Sequence, residues 1–589
     1  MNQHEAQLRL DALAETAEGF LDLAEGCVRR GEFDQGLQWT SMAASVLATQ
    51  NRDLSSPRIE SNLQFYAGLI PEADDHCSEP PVDADGRQSL LHVFTRALPH
   101  GGHTATSIRW IKLENGRKHD VALLSQDTPV PEELIQAVRE SGGEIHMPDS
   151  QDSLLGRAEW LRKLAARIAT HVVLHVDMFD VIPGVAFGRS GGPPVMLLNH
   201  AAHTYWAGSS VADLVLNCRG SECETYWTRT YRGIVRCATV PIPLTVPVGL
   251  AATGDAGQER RDQAKTAIGI SKDTVLILTS GESYKFARFD SLDFIAVCEE
   301  LLNDIPNACV VAVGPEEDGR WKAARERSGN RLRTVGRQPR DQMAVFQNAA
   351  DVYIEGFPFG STTALFESAI RGVPVVLSPA QCPPPYGTDG IALDDVIERA
   401  QTLEEYRRMV VLLAKDAGKR QRLGQRVRDS VLRHHTGEGW KQHVEAAINM
   451  LPKRHSVQPT SKIVRTPDSI CEYWTRLRHQ LFPGMGTVYE DWTRHAFSNG
   501  LRPQAEGLSS RKVEPSRRRG RAEFLMELAE RHYAMGDTVA AAEFYRVSLE
   551  CHPWNLRAQS KRVLLSLGKT GEFLRGISRL LRGRGFAMK

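Results

Sequence analysis

The chain has 589 residues, and its 72 Lys and Arg balance its 72 Asp and Glu. That balance implies no globally polyanionic partner such as a nucleic acid. With 41% hydrophobic and 24% charged residues, the length allows roughly three to four domains with apolar cores. Apolar runs such as Val172–Leu174 and Val373–Leu377 fall far short of the ~18 residues a membrane span needs. The opening MNQHEAQLRL has no apolar core of a secretory signal. The ten cysteines include no C-x-x-C pair, so the expected setting is reducing and cytoplasmic. A metal site on Cys218, Cys223 and Cys237 is the weaker alternative, because no nearby pair has zinc-finger spacing.

Residues 1–70 carry apolar residues at helical spacing, among them Leu10, Leu13, Phe20, Leu21 and Ala24. A Gly31 turn divides two antiparallel helices, and Ala24, Gly31, Gly36 and Ala43 follow the small-residue spacing of a tetratricopeptide unit. Residues 71–87 are acidic and Pro-rich and read as a linker. Residues 88–250 alternate strands and helices: LLHVFTRAL, HDVALLS, EIHMP, THVVLHV, PPVMLLNH and ADLVLNC are the strands. That alternation predicts a parallel sheet wound on both faces. Residues 250–265 are polar and read as a hinge. A second alternating unit spans residues 258–450, with strands DTVLILTS, ACVVAVGP, RLRTVG, ADVYIEG and VPVVLSP, and GWKQHVEAAINML as its closing helix.

Residues 451–515 read as a linker followed by an unassigned Trp-rich segment. The basic run before the last segment is read as solvated linker rather than an anionic-partner patch. Residues 516–589 return to tetratricopeptide-like spacing at Ala529, Gly536, Ala541, Tyr545, Ser548 and Pro553. The fold class expected is therefore α/β, two doubly wound Rossmann-like domains with helical, tetratricopeptide-like flanks.

The chemistry points to the segment 350–376. A strand ends at Glu355, a loop runs from Gly356 to Gly360, and Ser361, Thr362 and Thr363 open a helix. Free backbone N–H groups and the helix dipole favour an anion there. Glu367, about one turn inside, is placed to reach sugar hydroxyls. An N-capped helix without a ligand is the competing reading of the same residues. PHGGHTAT places His103 in a strand–helix turn, with His100 a less favoured neighbour. LLNHAAHTYWAG places His200 and His203 after another strand. Histidine has acid–base chemistry near neutral pH. Asp177 and Asp180 follow a third strand, as acid–base candidates or as helix caps.

FPFGSTTALFESAIRGVPVV resembles the donor-binding signature of GT-B glycosyltransferases, most like the O-GlcNAc transferase group and the adhesin protein glucosyltransferases. It is more distantly similar to glycosyltransferase family four. The resemblance covers roughly residues 88–450. It implies a nucleotide-diphosphate sugar donor, a UDP-sugar first, and no cofactor or metal. It puts Lys285, Gly360, Ser361, Thr362 and Thr363 on the diphosphate, with Glu367 on sugar hydroxyls. It puts Val335–Gln338, Arg337 included, near the base, His103 near the acceptor and donor sugars, and His200 in a segment that lines the cleft between the lobes. Family four commonly has a glutamate where Phe359 stands here, a departure shared with the O-GlcNAc transferase-like branch. The flanks suggest a protein acceptor; a polysaccharide or lipid-linked glycan is the alternative. The rival readings are a non-catalytic interaction protein on a degenerate core and a sugar-nucleotide epimerase. Inversion or retention at the anomeric centre stays open.

Overall fold

A computed structural model describes residues 1–72, 86–99, 102–247, 255–459, 464–481, 488–505, 508 and 513–566. His100, most of the 71–87 linker and the end of the 516–589 segment lie outside the described residues.

The first lobe runs β1 (Ser89–Phe94), α4 (Gly102–Leu113), β2 (Lys118–Leu123), α5 (Glu132–Glu140), β3 (Ile145–His146), α6 (Leu154–Ile168), β4 (His171–Leu174), α7 (Ile182–Ala186), β5 (Val195–Asn199), β6 (Leu214–Asn217), α8 (Glu222–Thr230) and β7 (Cys237–Thr239). Helices α1 (Gln3–Arg30), α2 (Phe33–Leu47) and α3 (Pro57–Ala67) precede it. All its strands are parallel, in the order β3-β2-β1-β4-β5-β6-β7. The second lobe runs α9 (Asp255–Ala267), β8 (Val275–Ser280), α10 (Phe294–Asp304), β9 (Ala308–Val313), α11 (Gly319–Arg327), β10 (Leu332–Thr334), α12 (Arg340–Ala349), β11 (Val352–Ile354), α13 (Thr362–Ala369), β12 (Val375–Val376), α14 (Leu403–Lys415) and α15 (Ala417–His435). Its parallel sheet has the order β10-β9-β8-β11-β12. Both sheets are doubly wound, so each presents the carboxyl ends of its strands to one crevice. The α/β expectation of two Rossmann-like domains with helical flanks is the architecture observed.

Three expectations change, and the unassigned segment takes a form. The polar 250–265 stretch is a hinge only in part, because α9 occupies 255–267. Its Lys265 is buried against Asp351 at 2.7 Å, an ion pair in place of an apolar stripe. The closing helix α16 (Gly437–Asn449) packs on the first sheet: Trp440 meets Trp110 at 5.5 Å and donates to the Pro241 carbonyl at 2.7 Å. The linker after residue 451 is docked in part. His455 is buried, its ring bonded to Asp213 at 2.7 Å and to the Phe187 carbonyl at 2.7 Å. The Trp-rich segment forms α17 (Asp468–Leu481) and α18 (Val488–Ser498).

The C-terminal helices α19 (Arg518–Ala534), α20 (Thr538–Cys551) and α21 (Leu556–Ser566) are not a separate body. Phe524 stacks edge-on against Phe20 at 5.4 Å, and Arg521 pairs with Glu15 and Asp22 of α1. Helices α1–α2 and α19–α20 therefore share one core with the first lobe. The small residues do what their spacing implies: Ala24, Ala43, Ala529 and Ala541 are fully buried, and Ser548 donates to the Ala522 carbonyl at 2.8 Å. Among the described residues, no helix is long and apolar enough to cross a membrane.

Candidate functional site

The crevice between the lobes holds a cleft of about 1020 Å³. His103, His200, Lys285, Arg337, Gly360, Ser361, Thr362, Thr363 and Glu367 line it, whereas the acid–base candidates Asp177 and Asp180 do not. Of the stretch expected near the base, Arg337 and Gln338 reach the cleft, whereas Val335 turns into the second-lobe core. Arg337 is exposed and pairs with Glu282 at 2.7 Å.

The second-lobe wall is built from a strand end and a helix start. Glu355, the residue after β11, is fully buried; its carboxylate accepts from Ser378 N at 2.8 Å and Thr388 N at 3.0 Å. It thereby fixes the loop that delivers α13. A side chain at Gly360 has no room, since a Cβ there would stand 2.0 Å from Glu355 Oε1. Ser361 makes no side-chain capping bond, so the first N–H groups of α13 have no cap from it. Lys285, in the turn after β8, donates from Nζ to the Gly360 carbonyl at 2.7 Å. Burial lowers its pKa to about 8, opposed by Glu355 and Glu282. Gly281 keeps this corner tight: a Cβ there would meet Ser361 Oγ at 2.5 Å and the Lys285 side chain at 3.1 Å. A lysine ammonium and an open helix N-terminus thus bound one small space, the chemistry of an anion site.

The first-lobe wall carries the histidines. The His103 and His200 rings lie 3.7 Å apart between centroids. His200 Nδ1 stands 3.1 Å from the Leu198 carbonyl, which only accepts, so Nδ1 carries the proton and Nε2 the lone pair. That Nε2 is enclosed and without a hydrogen-bond partner. Burial and then His103 hold the His200 pKa well below the usual imidazole range. Burial also lowers His103, with Asp177 pulling the other way. His203 lines the cleft but packs on Trp474 at 4.9 Å and Phe359 at 5.5 Å, and burial lowers its pKa to about 3. Asp180 is buried outside the cleft, just ahead of α7 and its N-cap Val181: it accepts from Ile182 N at 2.9 Å and Thr95 Oγ1 at 2.6 Å. Among the described residues, no three His, Cys, Asp or Glu side chains gather to hold a metal, Cys218, Cys223 and Cys237 included.

Several residues that line the cleft or hold its lining have no signal in the sequence. Arg109 of α4 reaches across to pair with Glu367, whose other oxygen faces Gln347 at 3.5 Å. Arg219 sits on the floor, bonded to Asp389 at 2.7 Å, and so joins the lobes. Arg232 is buried and donates to the carbonyls of Ala201, Ala202 and Thr204, which shapes the loop holding His200 and His203. These partners lie far apart in sequence or are backbone carbonyls, so no local pattern marks them.

No family model matches the sequence, and no curated protein matches it. Among solved structures, the chain is similar to a mutant of the O-GlcNAc transferase of Thermobaculum terrenum, with 16% identity, 75% of this chain against 82% of that one and a TM-score of 0.43. It is similar to HepE of Anabaena in complex with UDP and glucose, with 13% identity, 62% of this chain against 100% of that one and a TM-score of 0.44. It is also similar to the UDP-GlcNAc 2-epimerase of Neisseria meningitidis bound to UDP-GlcNAc, with 13% identity, 62% against 100% and a TM-score of 0.40. Glycosyltransferases thus stand among the solved structures that this chain resembles.

Proposed function

We propose that the chain is a glycosyltransferase that moves a sugar from a nucleotide-diphosphate sugar, a UDP-sugar first, to an acceptor hydroxyl. The observation that carries this reading is the meeting of Lys285 with the uncapped start of α13, opposite the His103–His200 pair, across one cleft. In this reading the diphosphate lies against the N–H groups of Thr362, Thr363 and Ala364, and Lys285 neutralises the charge that develops as the glycosidic bond breaks. The helix and the ammonium supply that stabilisation with no metal in the step. Glu367 takes the ribose hydroxyls with the oxygen that Arg109 leaves free. The lone pair on His200 Nε2 accepts the proton of the acceptor hydroxyl, and His103 contacts the transferred or acceptor sugar.

The acceptor in this proposal is a protein. The helical array is fused to the first lobe, the side expected to take the acceptor, and helical arrays build extended binding surfaces. A thermal-shift panel of UDP-, GDP- and ADP-sugars tests the donor. A ligand at a hundredfold excess over its dissociation constant adds about 2.7 kcal/mol to stability. The absence of a shift with every nucleotide removes the enzyme reading. Product analysis without acceptor separates transfer from epimerisation, and the anomeric configuration of the product decides inversion or retention.

A further inference from the structure

Three histidines lie inside the first lobe, behind the cleft wall. His92 is in β1, His119 in β2 and His175 just past β4, and none is more than 1% exposed. Strands of a parallel sheet are normally apolar on both faces, and polar groups buried there are costly unless bonded. These form one continuous line. Ser107 Oγ lies 3.2 Å from His175 Nδ1, and His175 Nε2 lies 2.9 Å from His92 Nδ1. His92 Nε2 lies 2.9 Å from His119 Nδ1. His119 Nε2 lies 2.7 Å from the Glu114 carbonyl and 3.3 Å from its carboxylate. The line starts on the cleft side, at the carboxyl end of β4, and ends near the amino end of β2. Ser107 stands one helical turn after His103 on the same face of α4.

The direction of the bonds is fixed by the far end. A carbonyl only accepts, so His119 Nε2 carries a proton. With His119 neutral, each ring donates from Nε2 to the next Nδ1, and the Ser107 hydroxyl donates to His175. One added proton reverses the order. His119 is then protonated on both nitrogens, His92 and His175 donate from Nδ1, and Ser107 turns to the His103 carbonyl, 3.0 Å away. Ser107 has a partner in each arrangement, and the heavy atoms need not move.

We propose that this line is a proton relay for the cleft, taking up the proton released by transfer at Ser107 and holding it as a His119 imidazolium beside the Glu114 carboxylate. The inference rests on the transferase reading. The proton that His200 Nε2 takes from the acceptor passes to the His103 ring beside it, 3.7 Å away between centroids; His103 gives a proton to Ser107 Oγ, and Ser107 passes its own to His175 Nδ1. His175 passes its Nε2 proton to His92 Nδ1, and His92 passes its Nε2 proton to His119 Nδ1. One proton enters, no electrons move, and one positive charge ends at His119. Burial keeps His92 and His175 from holding the charge themselves, with His175 lowered to about 3. The groups facing the far end are Glu114, Arg117, His171 and Glu445; His103, His200 and Asp177 face the cleft end.

His119→Gln tests the relay. The glutamine amide donates to the Glu114 carbonyl and accepts from His92, but it passes no proton. The expected result is kcat at least tenfold lower, with an unchanged nucleotide-induced thermal shift and recovery of rate on adding imidazole, a small base that reaches the cleft. Ser107→Ala, which removes only the entry hydroxyl, is expected to behave alike and serves if the glutamine variant fails to fold. Wild-type turnover in the folded variants, or a loss that imidazole leaves unrestored, overturns the relay. That result leaves donor binding intact, whereas failure of the transferase reading shows as no nucleotide shift in the unmodified chain.

Discussion

Lys285 and the histidines divide the site into two electrostatic halves. Lys285→Ala is expected to lower kcat by two to three orders of magnitude, the ~2.7–4 kcal/mol that one well-aimed donor supplies at a developing charge. Circular dichroism should stay unchanged, since the side chain lies in a cleft-lining turn. The depressed lysine pKa, about 8, also predicts that kcat/KM falls as pH rises through that value, because the free enzyme loses its ammonium. A rate flat to pH 10 would remove Lys285 from the diphosphate site. His200→Ala is expected to reduce turnover far more than nucleotide affinity, and more than His103→Ala does, because its Nε2 is the enclosed lone pair. Equal turnover in the His200 variant and the parent chain would leave the base elsewhere. The buried histidines carry a stability signature as well. His175 and His203 titrate near 3 when folded and near 6.5 when unfolded. The unfolded state therefore binds more protons between these values, and stability falls as pH drops from about 6.5 toward 3, by about 1.4 kcal/mol per unit for each group. Denaturant midpoints between pH 4 and 7 measure it.

Among the elements, the strands were the most legible. VLILTS, ACVVAV and SLLHVF are mostly apolar runs, buried at every position because both faces of a doubly wound sheet are covered. The edge strand Cys237–Thr239 escaped notice because it is half-buried and short. Helix α9 was missed for the opposite reason: DAGQERRDQAKTA has almost no apolar face, and the Lys265–Asp351 pair does the anchoring. For α16 the periodicity gave the helix but not the lobe it packs on, since a spacing of 3.6 names no partner. The same limit hid the union of the two flanks. Phe524→Ala tests that union. It removes a fully buried ring packed on Phe20 and against the backbone at Gly19. The expected cost is about 3–5 kcal/mol, read as one cooperative transition at lower denaturant. An independent C-terminal transition with the rest unchanged would instead mean that α19–α21 fold alone.

At the scale of the whole molecule, the donor loop is held from behind by parts of the chain that lie outside both sheets. Trp474 of α17 stacks on Tyr386 at 5.6 Å with the rings 7° from parallel, and its Nε1 donates to the Thr49 carbonyl at 3.2 Å. Tyr473 donates to the Pro358 carbonyl at 3.0 Å, and Asn51, after α2, donates to the Tyr386 hydroxyl. Phe359 closes the cluster at 6.0 Å from Trp474. The loop Phe357–Gly360 thus feels the N-terminal helices through one aromatic stack, and the position of Lys285 follows through its bond to Gly360. Trp474→Ala should therefore weaken nucleotide binding at least tenfold by calorimetry, besides lowering stability by the ~3–5 kcal/mol of a large-to-small change. Stability loss alone does not prove the link, so Trp39→Ala is the comparison. Trp39 is also buried, stacked on Phe20 at 5.3 Å, but outside the aromatic stack behind the donor loop. It should lose similar stability and keep its nucleotide affinity. If both variants bind nucleotide as the parent chain does, the second lobe shapes its diphosphate site alone and the helical flanks serve only the acceptor side.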